Sequence, residues 1–409
     1  MKTLGLMTAL LLSMSTSYAD DFPPKLDLPA PVDVWVSFDK ADLAKPEAAG
    51  FPLSAPVVSD GRVAVYLVRP DMLPILSQFM HDRFKRCGGF LAHASEAAAR
   101  ASMRSLAAPT PRAYTIDQQA VVTPLVNKVS EANLRGTISS LAAHNNRYYQ
   151  SDSGVQAARW LQGNWAALAA GIPGASAALF AHDGWKQPSV ILTIPGSELP
   201  DEIVVLGGHL DSINGWGNAS ARAPGADDNA SGIAVLTESA RLIAASGLHP
   251  KRTIQFMAYA AEEVGLRGSQ EIAARYAAAG KKVVGVIQFD MSNFAGSGDK
   301  IFMLTDNVDA TLTAFTSRLV DIYTGVERSV TECGYGCSDH ASWTKKGYPA
   351  AMAFEASFDG MNHEIHTERD TLATSGGDAS HSVPFAKLAV AFALELAKTA
   401  PAATATAKR

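Results

Sequence analysis

The sequence predicts an α/β fold: a mixed, mostly parallel sheet sandwiched between helices, with a smaller N-terminal pro-region ahead of it. From about residue 189 onward, short apolar runs alternate with segments of helical spacing. Strands that lack polar alternation belong to sheets covered on both faces. Several of these runs stop abruptly at acids or imidazoles, as strands do where they border the crevice of an open α/β sheet. At 409 residues the chain also exceeds the usual single-domain size, which leaves room for one large domain and an appendage.

Taken in order, residues 1–19 read as a signal peptide. Lys2 supplies the positive start, residues 4–14 an apolar run, and Ser17-Tyr18-Ala19 the small residues of a cleavage site. That run is shorter than the roughly 20 residues a membrane span requires, and no later segment looks transmembrane. A soluble, secreted protein is expected, with no membrane partner. Residues 20–111 are rich in Pro, Ala and Ser, with candidate strands at 32–38 and 63–68 and a linker-like stretch at 92–111. The main domain spans 112–398. It opens with helical spacing over 120–149 and 154–170, and continues with strands at 189–194, 203–208, 253–260, 283–289, 301–305 and 350–354. Helices are expected at 232–245, 265–279, 309–323 and 383–397. Residues 399–409 read as a flexible tail.

Hydrophobic residues make up 47% and charged residues 18% of the chain, ordinary values for a protein with a sizeable core. A net charge of −5 argues against a nucleic-acid partner, which would call for a basic patch. Of three cysteines, Cys333 and Cys337 sit close enough to close a small disulfide loop in an oxidising compartment. Half a zinc site is the other use of such a pair, but two further ligands of that type are missing. Cys87 is left over, either as a buried thiol or in a segment later removed.

The ionisable groups carry the functional signal. Val204-Val205-Leu206-Gly207-Gly208 runs into His209-Leu210-Asp211, Tyr259-Ala260-Ala261 into Glu262-Glu263, and Val286-Ile287-Gln288-Phe289 into Asp290. Asp227-Asp228 follows a Pro224-Gly225 turn, and His366 lies in a loop. Singly, each acid is more often a helix cap or a solvated charge, and a lone His is more often a surface or core residue. Adjacent acids at an apolar rim are costly without a cation, and no Lys or Arg motif lies beside them in sequence. A pair of divalent metals would compensate them. Imidazole with carboxylate suits zinc, cobalt or manganese better than magnesium or calcium.

These stretches resemble the zinc-dependent aminopeptidases of the bacterial leucyl aminopeptidase type. The likeness rests on Gly207-Gly208-His209-Leu210-Asp211-Ser212, on Ala223-Pro224-Gly225-Ala226-Asp227-Asp228-Asn229-Ala230-Ser231-Gly232 and on Ala260-Ala261-Glu262-Glu263-Val264-Gly265. It extends to Cys333-Gly334-Tyr335-Gly336-Cys337-Ser338-Asp339-His340 and His366-Thr367-Glu368-Arg369-Asp370-Thr371, in collinear order over about 113–397. The resemblance implies two Zn2+ per chain. Asp227 is then the bridging carboxylate, His209 and Asp290 the ligands of one metal, and Glu263 and His366 those of the other. Glu262 is the implied general base, Asp211 the partner of His209, and Tyr335 the stabiliser of the oxyanion. A cis peptide is expected between Asp227 and Asp228. Matching pocket positions are Met291, Leu304, Phe354, Phe358, Met361 and Ile365, all apolar, so peptides with a free N-terminus and a bulky apolar first residue such as Leu are the implied substrates. A monomer is expected. The family relative in view carries an aromatic residue at the position of Met361, and a thioether there suggests wider tolerance. Any of these apolar side chains, and Tyr335 too, is open to a plain packing role.

The region before 112 does not share the resemblance. It reads as a propeptide that aids folding or covers the cleft, or as a retained accessory domain. The rival activity is a carboxypeptidase on the same scaffold, for which Arg369 would be the cationic grip. A glutaminyl cyclase would hold a single zinc. A receptor-like binding module would have lost ligands or the base. Asn218-Ala219-Ser220 and Asn229-Ala230-Ser231 match the glycosylation pattern, and both are read as coincidental.

Overall fold

The computed structural model describes residues 33–53, 55–86, 88–103, 112–215 and 219–399. The expected signal peptide, Cys87, Asn218, the tail from 400 and residues 104–111 of the expected linker lie outside the described residues.

The N-terminal part is a four-stranded antiparallel sheet with short helices. Its elements are β1 (Val34–Asp39), α1 (Lys40–Leu43), β2 (Val58–Ser59), β3 (Val63–Val68), α2 (Leu73–Phe84), β4 (Leu91–His93) and α3 (Glu96–Ser102), with strand order β2-β3-β1-β4. The linker expected at 92–111 is therefore structured at its start. His93 packs into the sheet beside β1, and Ser95 caps α3 by accepting the N–H of Ala98.

Next come α4 (Gln119–Val126), α5 (Glu131–Ala142) and α6 (Asp152–Ala169). The helical pattern over 120–149 is thus broken twice. Ser130 starts a new helix by accepting the N–H of Asn133, and after α5 the side chain of Asn146 ties its loop to the carbonyls of Ala219 and Ala221. The main sheet and its helices follow as β5 (Ser176–Phe180), β6 (Ser189–Ile194), β7 (Leu199–His209), α7 (Ala230–Ala245), β8 (Arg252–Tyr259), α8 (Arg267–Ala278), β9 (Lys282–Phe289), β10 (Lys300–Leu304), α9 (Ala310–Tyr323), β11 (Glu327–Thr331), α10 (His340–Thr344), β12 (Ala350–Phe354) and α11 (Ser382–Ala397).

The eight strands run β11-β10-β12-β9-β7-β8-β6-β5. The pairs β8·β7, β7·β9, β9·β12 and β10·β11 are parallel, while β10·β12, β6·β8 and β5·β6 are antiparallel. The sheet is mixed and mostly parallel, sandwiched between helices. Alternate residues of β7 serve opposite layers: Val204 and Leu206 enter the large core under α7 and α11, Ile203 and Val205 the smaller one beneath α8 and α10. In α11 Phe385, Leu388, Phe392 and Leu394 are wholly buried, each worth about 1.5–3 kcal/mol relative to exposure. The edge strands β5 and β11 escape a sequence reading because most of their residues face solvent at least in part.

Three parallel neighbours, β8, β7 and β9, end side by side, with His209 in register with Tyr259 and Gly207 with Gln288. Their carboxyl ends are where the functional groups gather.

Candidate metal centre

His209 closes β7, Asp290 follows β9 directly, and Glu262 and Glu263 follow β8 after a short turn. Two clusters of ligand-type atoms form there, His209 with Asp228 and Asp290, and Asp228 with Glu263 and His366. Asp228 belongs to both. Its Oδ1 lies 2.8 Å from His209 Nε2 and its Oδ2 3.4 Å from His366 Nε2. His209 Nε2 is also 3.3 Å from Asp290 Oδ1, and His366 Nε2 2.7 Å from Glu263 Oε2.

The shared carboxylate is therefore Asp228, and the expectation placed it one residue too early. Asp227 turns the other way: its Oδ1 accepts the N–H of Asn293 at 3.0 Å and its Oδ2 the amide of Asn362 at 3.2 Å. Asp370 sets the turn by accepting both the Asp227 and the Asp228 N–H at 3.0 Å. Adjacent side chains in such a turn point apart, so only one of the pair can face the metals. The cis peptide shifts with it, to Asp228-Asn229. Asn229 is buried and caps α7 through the N–H of Gly232, which removes it as a glycosylation site.

The donor set fits divalent cations. Glu263 Oε2 and His366 Nε2 meet at 2.7 Å, yet among the described residues Glu263 Oε1 and His366 Nδ1 have no hydrogen-bond partner. Polar atoms buried so deeply call for one. Both histidines are pushed well above the ordinary imidazole range. Burial opposes this, and the neighbouring carboxylates, Asp290 and Glu262 for His209 and Glu263 for His366, override it. Burial lifts Glu263 to about 7 and Glu262 well above the carboxylate range.

Asp211 contacts both His209 and the Glu pair. The His209 Nδ1 lies 3.1 Å from the Asp211 carbonyl and 3.5 Å from its carboxylate. That carboxylate accepts the N–H groups of Glu262 at 3.0 Å and Glu263 at 3.2 Å, and so holds the Glu pair against the end of β7. Three non-glycine residues with positive φ sit at the site: Ala261 at 57°, Met291 at 58° and His366 at 57°. Such backbone persists where the surroundings enforce it, and it clusters at functional sites.

Residues 189–392 match the model of peptidase family M28. A probable leucine aminopeptidase of Arthroderma otae is 41% identical over 295 residues, covering 70% of this chain and 80% of that protein. The chain belongs to peptidase family M28. The leucine aminopeptidase 1 of the same organism is 40% identical over 291 residues, covering 68% of this chain and 77% of its own. Among solved structures, the LapA aminopeptidase of Legionella pneumophila is similar at 29% identity and a TM-score of 0.79, and LapB from the same organism at 28% and 0.78. Each match covers 90% of this chain, with 99% of the LapA chain and 100% of the LapB chain, a span that takes in part of the N-terminal sheet. By these relations the chain is a metallo-aminopeptidase, a peptide hydrolase.

In this M28 peptidase a cleft beside Asp290 is lined by Met291, Tyr335, Cys337, Met352, Phe354, Phe358 and Met361. The expected pocket residues Leu304 and Ile365 are buried in the apolar cluster behind that wall. Cys333 and Cys337 stand at disulfide distance, Cα–Cα 6.2 Å, and place Tyr335 between them. Arg369, the cation that would grip a carboxylate in a carboxypeptidase, is exposed, pairs with Glu364 at 2.5 Å and is not among the residues lining that cleft.

The N-terminal sheet and its helices pack against this region. The ring of His81, on α2, lies 4.8 Å from the ring of His366, and the Arg86 guanidinium lies 4.5 Å from the centre of the Tyr335 ring. Gln78 presses on Gly215 so closely that a Cβ there would fall 1.4 Å from its Oε1. The apolar core of this domain continues into Tyr149, Trp185, Ile213, Ala261 and Val264 of the catalytic domain. His209, Asp228, Glu262, Glu263 and His366 are all 3% exposed or less.

Several site residues carried no signal as such in the sequence. Ser338, which donates to Asp290 Oδ2 at 2.5 Å, and Asp370 both lie inside the quoted motifs and were legible as positions without roles. Glu355, which accepts the N–H groups of Phe294 and Asn362, and Arg147 had no motif to point to them.

Proposed function

We propose that the chain is a secreted aminopeptidase that holds two zinc ions, prefers peptides with a bulky apolar first residue, and is made with its N-terminal domain over the cleft. The observation that carries the reading is the Asp228 carboxylate, one oxygen facing each of two histidine–carboxylate pairs. His209, Asp228 and Asp290 would hold one ion, and Asp228, Glu263 and His366 the other. Two divalent ions supply Lewis acidity and ease the ionisation of water.

The remaining work falls to the chain. Glu262 adjoins the ligand set without joining it, a position from which a carboxylate can take a proton from water and hand it to the leaving amine. Tyr335, at the lip of the cleft, is the donor for the oxyanion. The cleft walls of Met291, Phe354, Phe358 and Met361 receive the first side chain. In this reading α2, with Gln78 and His81, and Arg86 just beyond it shut out substrate until the region before residue 112 is removed.

Zinc content per chain, with cleavage of Leu-p-nitroanilide before and after a chelator, tests the core of this. Two zincs, and turnover abolished by the chelator, are expected. A single zinc points to the cyclase-like alternative, and chelator-resistant turnover overturns the metal reading. Faster cleavage of a Lys or Glu first residue than of Leu by kcat/KM overturns the pocket assignment. Limited proteolysis followed by N-terminal sequencing tests the cover: turnover should rise as residues before 112 are lost.

A further inference from the structure

Arg147, in the loop between α5 and α6, is fully buried and forms no ion pair with any carboxylate among the described residues. Its donors all end on main-chain carbonyls. Nε reaches Leu210 O at 2.8 Å, between His209 and Asp211. Nη1 reaches Pro224 O at 2.5 Å and Leu141 O at 3.5 Å, and Nη2 reaches Gly225 O at 2.8 Å. Its own N–H donates to Ser212 Oγ at 3.0 Å, while its carbonyl accepts from Gln187 at 2.9 Å. Ser212 in turn donates to Ala223 O at 2.8 Å. One side chain thus clips the segment just after His209 to the turn that feeds Asp228. Gly225 permits the approach: its φ is +53°, and a Cβ would fall 2.4 Å from Asp228 O and 2.7 Å from Arg147 Nη2.

Burying a guanidinium costs several kcal/mol, and an apolar side chain would fill the space at less cost. Its charge is not consumed by a partner and stays in the field of the site. Burial lowers its proton affinity to about 10, against the pull of Asp370, Asp228, Asp211 and Glu263, so it remains a cation at neutral pH. The fork geometry matters as much as the charge, because an ammonium on a flexible stem cannot reach carbonyls on both loops at once.

We infer that Arg147 is a positioning residue for the metal centre: it sets the spacing between His209 and Asp228 and supplies the fixed positive charge among the site's acids. The inference rests on the two-zinc reading above. Groups that orient ligands from outside the coordination shell typically change metal affinity by about 10–100-fold.

The test uses the full chain as wild type, Arg147→Lys and Arg147→Met. Zinc affinity is measured by chelator competition, the visible spectrum after cobalt substitution, and kcat and KM for Leu-p-nitroanilide. Arg147→Met should bind zinc at least tenfold more weakly, with an altered cobalt spectrum and a fall in kcat at near-constant KM. Arg147→Lys keeps the charge and loses the fork, and should fall between. Wild-type zinc affinity and an unchanged spectrum in Arg147→Met overturn the inference, even if its melting temperature drops. Should Arg147→Met not fold, the same result in Arg147→Lys overturns the positioning role. Wild type that binds no zinc removes the two-zinc reading itself, an outcome distinct from both.

Discussion

In the N-terminal domain buried charge meets its opposite: Asp42 receives both Arg86 and Lys45, and the buried His93 bonds Ser37 at 2.8 Å. At the rim of the main sheet Asp211, Asp227, Asp228, Glu262, Glu263 and Asp290 are buried together, and the Arg147 guanidinium in their field directs its hydrogen bonds to carbonyls. The first arrangement is complete without a ligand. The second is built around positive charge that the chain supplies only in part. The contrast separates the Asp42 cluster, whose charges pair within the fold, from a cluster of acids whose charge the fold does not balance.

The largest expected effect falls on the unbalanced side. Asp228→Asn should lose both zincs and essentially all turnover, whereas Asp227→Asn, whose carboxylate accepts only from Asn293 and Asn362 besides its contact with Glu355, should keep zinc. Zinc content of the two purified variants decides this, and equal losses would erase the distinction between the neighbours. Next in size, Glu262→Gln should keep two zincs while kcat drops about 100–10,000-fold, the usual weight of a general base. A metal-replete Glu262→Gln enzyme with near-normal turnover would end its assignment as the base.

On the balanced side, Asp42→Asn leaves Arg86 buried without its partner. Breaking such a pair costs about 3–5 kcal/mol, to be read from denaturant unfolding of the full chain. The same variant should raise basal turnover, since α2 and Arg86 lose their anchor; unchanged turnover would count against the covering role. The smallest effect is one of pH. Burial holds His93 down at about 3 against an ordinary value of 6.5, with Lys345 and Lys346 adding to it. Between those values the unfolded domain binds more protons than the folded one. The contribution of His93 is then complete above pH 6.5, and about 1.4 kcal/mol of it is gone at pH 5.5. His93→Gln should flatten the acid limb of the N-terminal domain's stability profile, followed by hydrogen exchange on β1 and β4.

The stretches that make the site were legible in the sequence because strand ends impose a pattern: an apolar run and then an acid or imidazole, repeated on β7, β8 and β9. Periodicity likewise announced the buried strands and the helices α7, α9 and α11. Edge strands β5 and β11 lack that burial and therefore that pattern. The choice between Asp227 and Asp228 was not local either. Two identical side chains in one turn differ only in direction, and direction was set by Asp370, 142 residues further on. Arg147 reaches three of its four carbonyls across 63 to 78 residues, and α2 meets His366 from a segment far away in the chain. Residue types and their order follow from the sequence alone. Which of them face one another, and which cation stands among the acids, was decided by contacts between distant segments, because hydrogen bonds of that kind have no period along the chain.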